Sequence, residues 1–96
     1  MVRKHAAWLR ALDERLLEHL RESGESNPML MAEHPRFGEI GVSSGQIRER
    51  CLQLADAGLA GMTGKGWFDV TTWGQQYLDG GIDARDQPKP QSQRLL

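Results

Sequence analysis

Gln46, Arg48, Glu49, Arg50 and Gln53 crowd into one short stretch of a 96-residue chain. Their side chains carry donors and acceptors that match base-pair edges in a DNA major groove. Glutamine suits adenine, arginine suits guanine, and a carboxylate can accept from the cytosine amino group. Ser43 and Ser44 stand just before them, and Arg36 lies a short way upstream. Lys65 follows downstream between Gly64 and Gly66, where a turn would offer its ammonium to a phosphate. The plain alternative is a solvated helix face and a solvated turn lysine. The position of the helix group on one polar face favours contact there, while for Lys65 a solvated turn lysine is nearly as good a reading.

Other chemistry finds little support. His5, His19, His34 and Cys51 show no metal-ligand spacing. Thr63-Gly64-Lys65-Gly66 is too short for a phosphate-binding loop and leads into a strand instead of a helix. No Ser–His–Asp set or carboxylate pair stands out. Cys51 lies on an apolar face beside Ile47 and Leu54, so a buried, inert thiol is expected in preference to a redox switch. The sequence therefore predicts a non-enzyme without cofactor or metal.

The elements that must position these residues are marked by their ends. Ser43 or Ser44 caps a helix that Gly58 stops, because glycine enters the left-handed conformation without steric penalty. Within it Ile47, Cys51, Leu54 and Ala55 share one face, which leaves Gln46, Glu49 and Gln53 opposite, flanked by Arg48 and Arg50. Leu59–Met62 and Trp67–Val70 then flank a glycine-rich turn and predict a β-hairpin. A polar-faced helix followed by a small hairpin is the order of a winged helix-turn-helix.

Upstream, residues 12–21 predict an amphipathic helix, with Leu12, Leu16, Leu17 and Leu20 inward and Asp13, Glu14, Arg15, Glu18 and Arg21 outward. Asn27-Pro28 starts a short apolar helix over Met29–Ala32, whose methionines are expected to fill core gaps. Phe37, Ile40 and Val42 are expected to anchor the following connection, leaving Arg36 to reach outward. Thr71 or Thr72 caps a last helix with Trp73, Tyr77 and Leu78 on its apolar side. The basic start, with Arg3, Lys4 and His5, is expected to be solvated, and Trp8 and Leu9 to pack on the first helix or on a second copy.

The fold expected is mainly α with a small β-hairpin (α+β): a three-helix core, a wing and a short C-terminal helix. Residues 1–82 form the domain, and residues 83–96 are a flexible polar tail on the grounds of their prolines and few apolar residues. One cysteine excludes an internal disulfide and fits a cytoplasmic setting. No run is long and apolar enough for a membrane span. Twelve Lys and Arg against thirteen Asp and Glu give a net charge of −1. A DNA-binding domain of that balance must gather its cations on one surface.

From Trp8-Leu9 and Asp13-Glu14-Arg15-Leu16-Leu17-Glu18, through Leu54-Ala55-Asp56-Ala57-Gly58-Leu59, to Thr71-Thr72-Trp73-Gly74-Gln75-Gln76-Tyr77-Leu78, the chain resembles the halophage phi-H repressor family of small winged-helix proteins, within the wider MarR-like superfamily. The resemblance covers about residues 8–82. It implies sequence-specific binding of double-stranded DNA, often as a dimer. It places Ser43, Ser44, Gln46, Arg48 and Arg50 in the early part of a recognition helix and Lys65 at the wing tip. With Arg36, these make the expected DNA-binding set. The expected function is a transcriptional regulator, a repressor, acting as a homodimer on a pseudo-palindromic site, with no small-molecule effector evident. The rival is a winged-helix module that binds protein instead of DNA, which the near-neutral charge and Glu49 favour.

Overall fold

The structure, a computed structural model, describes residues 2–88. Its elements run α1 (Ala11–Ser23), α2 (Pro28–Glu33), α3 (Pro35–Gly38), α4 (Ser44–Asp56), β1 (Ala60–Gly64), β2 (Trp67–Val70) and α5 (Thr72–Leu78), with a 3-10 turn at Ala84–Asp86. The order is that of a winged helix, with one addition. The connection after α2 holds a single helical turn, α3, so the long polar-faced helix is α4. Pro35 takes the first position of that turn, and the His34 ring nitrogen accepts from the Arg36 N–H to start it.

Leu16, Leu17 and Leu20 of α1 are fully buried or nearly so, at the spacing that makes one helical stripe. Asp13 departs from expectation: it is wholly buried instead of solvated. Its carboxylate accepts from the Arg10 N–H at 2.8 Å, at the start of the helix, and turns inward toward α4. Asn27 caps α2 as expected. Only Pro28 and Met31 of that helix are buried, three residues apart, so Met29 and Leu30 face out instead of filling the core. Phe37 anchors the α3 turn in the core and Val42 is half-buried, while Ile40, expected inward, is largely exposed.

α4 opens with a reciprocal cap. Ser43 Oγ accepts from the Gln46 N–H, and Gln46 Oε1 accepts from the Ser43 N–H at 2.8 Å. Ile47, Cys51 and Leu54 are fully buried as the pattern predicts. Gly58 leaves the helix with φ +81°, the left-handed exit that the sequence requires.

β1 and β2 pair antiparallel, with an irregularity between Met62 and Gly64. Ser26 adds a third rung beside the hairpin. Its N–H donates to the Phe68 carbonyl at 2.9 Å, and the Phe68 N–H returns the bond at 2.8 Å. That bridge fastens the wing to the α1–α2 loop. At the other end, Thr71 Oγ1 donates to the Gly58 carbonyl and accepts from the Gly74 N–H, capping α5. Gly74 has no room for a side chain, because a Cβ would overlap the Leu59 carbonyl oxygen and lie 2.6 Å from Val70 Cγ2. Tyr77 and Leu78 are buried, whereas Trp73, expected on the apolar side, is half-exposed and rests against Gly58.

Segments near both ends of the described residues are more tightly held than expected. Arg3 is no solvated arm: it donates to Glu14, Glu18 and the Leu78 carbonyl. Leu9 is buried and Trp8 half-buried against the same core. Within the stretch assigned by composition to the tail, Ala84–Asp86 form a 3-10 turn that lies against the N-terminal segment. The Ala84 N–H donates to the Lys4 carbonyl at 2.9 Å, and Ala84 is fully buried. The rest of the expected tail, 89–96, lies outside the described residues.

Candidate nucleic-acid interface

The N-terminal turns of α4 and the tip of the wing form the two walls of an open groove. It is lined by Ser44, Gly45 and Arg48 of α4, by Lys65, Gly66 and Trp67 of the wing, and by Asn27 with Pro28 and Met29 at the start of α2. Its volume is about 320 Å³. The groove follows from two local rules. The Ser43 cap fixes where α4 begins, and the two-residue turn Lys65-Gly66 fixes where the hairpin reverses. Ser26–Phe68 pairing then holds the wing against the helical body.

Arg48 and Lys65 are exposed, and neither has a hydrogen-bonding or ion-pair partner among the described residues. Two unpaired cations facing one groove are an electrostatic site for an anion such as a phosphate. Apolar groups share the walls: Met29 is 69% and Trp67 37% exposed. Glu49 is also exposed on α4, next to Arg48 in sequence.

Of the residues expected to bind DNA, the structure brings Ser44, Arg48 and Lys65 to this groove. Ser43 and Gln46 sit at its helical end, exposed but committed to capping each other. The cap occupies the Gln46 carbonyl oxygen and leaves its amide NH2 without a partner among the described residues. Arg36 and Arg50, expected to face outward, lie elsewhere. Arg36 folds back onto α1, with its Nη2 donating to Glu22 at 2.5 Å, and does not line the groove. Arg50 is 5% exposed. Its Nε and Nη2 donate to the two oxygens of Asp13 at 2.7 and 2.6 Å, its Nη2 also reaches the Trp8 carbonyl, and its Nη1 reaches Gln53. The Asp13 hydrogen bonds hold the guanidinium even more firmly protonated than usual, against the opposing effect of burial.

Cys51 lies on the buried face of this same helix. Burial, with the Asp13 charge in support, pushes its thiol up to about 12, so the reactive thiolate is suppressed. His19 is buried between α1 and the α2–α3 corner, with its ring 4.7 Å from His34 and 5.3 Å from Phe37. Burial first, then the His34 and Arg36 charges, lower its basicity.

Asn27, Met29 and Trp67 were missed as groove residues. The signals were present in part. Strand alternation places Trp67 opposite to the inward Phe68, and the Pro28/Met31 spacing turns Met29 outward. Nothing local said that the two outward residues would meet.

The chain matches no protein-family model. A search of curated proteins finds no match either. Among solved structures, this chain is similar to a PhiH1 repressor-like protein from Haloarcula marismortui, with a TM-score of 0.83 and 28% identity. The match covers 93% of this chain and 98% of the other. The fold is thus that of a repressor-like protein over nearly its whole length.

Proposed function

We propose that this protein is a sequence-specific DNA-binding transcriptional regulator, a repressor. The observation that carries the reading is the groove that sets unpaired Arg48 on α4 opposite unpaired Lys65 on the wing. In this reading the N-terminal part of α4 enters the major groove, where Arg48 and the Gln46 amide meet base edges. Ser44 and Lys65 hold phosphates at either side. Likeness to a repressor-like protein supports it. Arg3, Arg21, Arg36, Arg50 and Arg85 are each tied to a carboxylate, whereas Arg48 and Lys65, like the exposed Lys4, Arg10 and Arg15, carry no ion pair among the described residues.

The working form is a homodimer. The molecule measures 31 × 30 × 23 Å, and half-sites on one DNA face lie about 34 Å apart, so one copy reaches one half-site. The setting is the cytoplasm, where DNA and a free thiol fit together.

The test is fluorescence anisotropy against a random duplex and against the DNA upstream of the protein's own gene, across a salt series. Tighter binding to the upstream DNA that weakens steeply with salt is the expected result. Weak binding to both at low salt contradicts it. The second reading, a protein-binding module, is favoured by the exposed Met29 and Trp67 on the groove walls. It predicts weak, salt-insensitive association with both duplexes.

A further inference from the structure

We propose that the buried Asp13–Arg50 pair is a positioning clamp that sets the roll of α4, and through it the sequence discrimination of the groove. The inference rests on the DNA-binding reading above.

Arg50 is the point at which three segments are tied together. Its fork grips Asp13 on α1 through both oxygens, its Nη2 also reaches the Trp8 carbonyl in the segment before α1, and Nη1 reaches Gln53 on its own helix. Asp13 is itself oriented, because the oxygen that takes Arg50 Nη2 also accepts from the Arg10 N–H. Asp13 is 0% exposed and Arg50 5%, so water does not compete for these bonds.

A buried ion pair is a poor device for stability alone, since desolvation offsets its attraction and apolar residues of similar size often do as well. What the planar, two-bond fork supplies is direction. Ile47, Cys51 and Leu54 pack α4 onto the core, but apolar contacts tolerate small rotations. Gln46 and Arg48 lie four and two residues before Arg50 on the same rigid helix. With side chains an α-helix is about 5–6 Å in radius, so a roll of roughly 10° moves their tips by about 1 Å. Base-reading hydrogen bonds occupy a distance window of only about 0.5 Å. A clamp on the roll of α4 therefore acts on discrimination more than on general attraction to DNA, which Lys65 and Arg48 supply as charges at any small roll.

The test uses the full chain, a duplex selected from a random pool by the parent protein, and an unselected duplex at the same salt. Two variants are compared with the parent: Asp13→Leu with Arg50→Met, which replaces the pair by apolar groups, and Arg50→Lys, which keeps the charge without the fork. The double variant also gives up the Asp13 cap on the Arg10 N–H, so it should stay folded but melt somewhat below the parent, and bind the unselected duplex within about twofold. Its preference for the selected duplex should fall by about tenfold, the lower part of the range for one base contact. Arg50→Lys should fall between. An unchanged preference in either folded variant overturns the clamp, and so does unfolding of both, which would make the pair purely structural. A parent that selects no duplex overturns the DNA reading itself, whatever the variants do.

Discussion

Arg48 and Arg50 stand two residues apart on one helix and meet opposite fates. Arg50, on the inner side of α4, is buried and makes four hydrogen bonds. Arg48, on the outer side, is exposed on the groove without a partner among the described residues. The difference is geometric. Residues two apart on an α-helix point about 200° away from each other, so both cannot face one DNA groove. Arg50 falls three residues after buried Ile47 and is drawn to the inner face with it. The same residue type ties segments of the fold together on one side and stays exposed on the other.

The contrast makes its largest prediction at Asp13. Asp13→Ala leaves the Arg50 charge buried and unpaired, which should destabilise the fold by about 3–5 kcal/mol. In thermal melts that is a fall of well over 10 °C for a domain of this size. A loss below about 1 kcal/mol would break the comparison, since Arg50 would then have found water or another acceptor.

Gly74→Ala extends the inner side to the hairpin base, because the new methyl would overlap the Leu59 carbonyl. Overpacking of this kind costs about 1–3 kcal/mol, and urea unfolding should show it. Arg48→Ala should do the reverse of both. Stability should stay within about 0.5 kcal/mol, while specific DNA affinity drops by about 1–3 kcal/mol if the contact is to a base. Anisotropy titration beside a thermal melt separates the two effects.

The inner side also carries a pH-dependent group, His19. Its folded-state basicity lies below the ordinary value of 6.5, through burial and then the His34 and Arg36 charges, with Glu22 opposing. The unfolded chain thus binds more protons in the window just beneath that value. Stability should be fully present above about pH 7 and decline as pH falls through 6.5 toward the folded value. Denaturation between about pH 7.5 and 5.5 reads this slope, and His19→Gln should flatten it. The smallest effect belongs to Lys65. Lys65→Ala should leave folding unchanged and reduce the slope of log affinity against log salt by about 0.9, as one lost phosphate contact.

Much of the fold was legible because its signals are local. The Ser43 cap, the Gly58 exit, the leucine stripe of α1 and the glycine turn before Trp67 each state their element within a few residues. What escaped was pairing across the chain. Asp13 reads as an ordinary first-turn acid, and only its partner 37 residues away gives it a place inside. Asp83 and Ala84 read as tail by composition, yet the Lys4 backbone gives them an edge to dock on. At the groove, Arg48 and Lys65 were recognisable by type and position. Arg36 was misread because Glu22, its partner, lies on another helix. Helical phase alone would have removed Arg50 from the outward set.

On the proposed reading, the N-terminal end of α4 and the wing, and no other face, meet DNA. Amide and side-chain shift mapping of isotope-labelled protein on titration with a selected duplex tests it most directly. The largest changes should fall at Ser44, Gly45, Arg48, Lys65 and the Trp67 indole, with the Arg50 Nε signal and the Tyr77 region little moved. Changes centred on α1 and α5, with the groove residues silent, would contradict it.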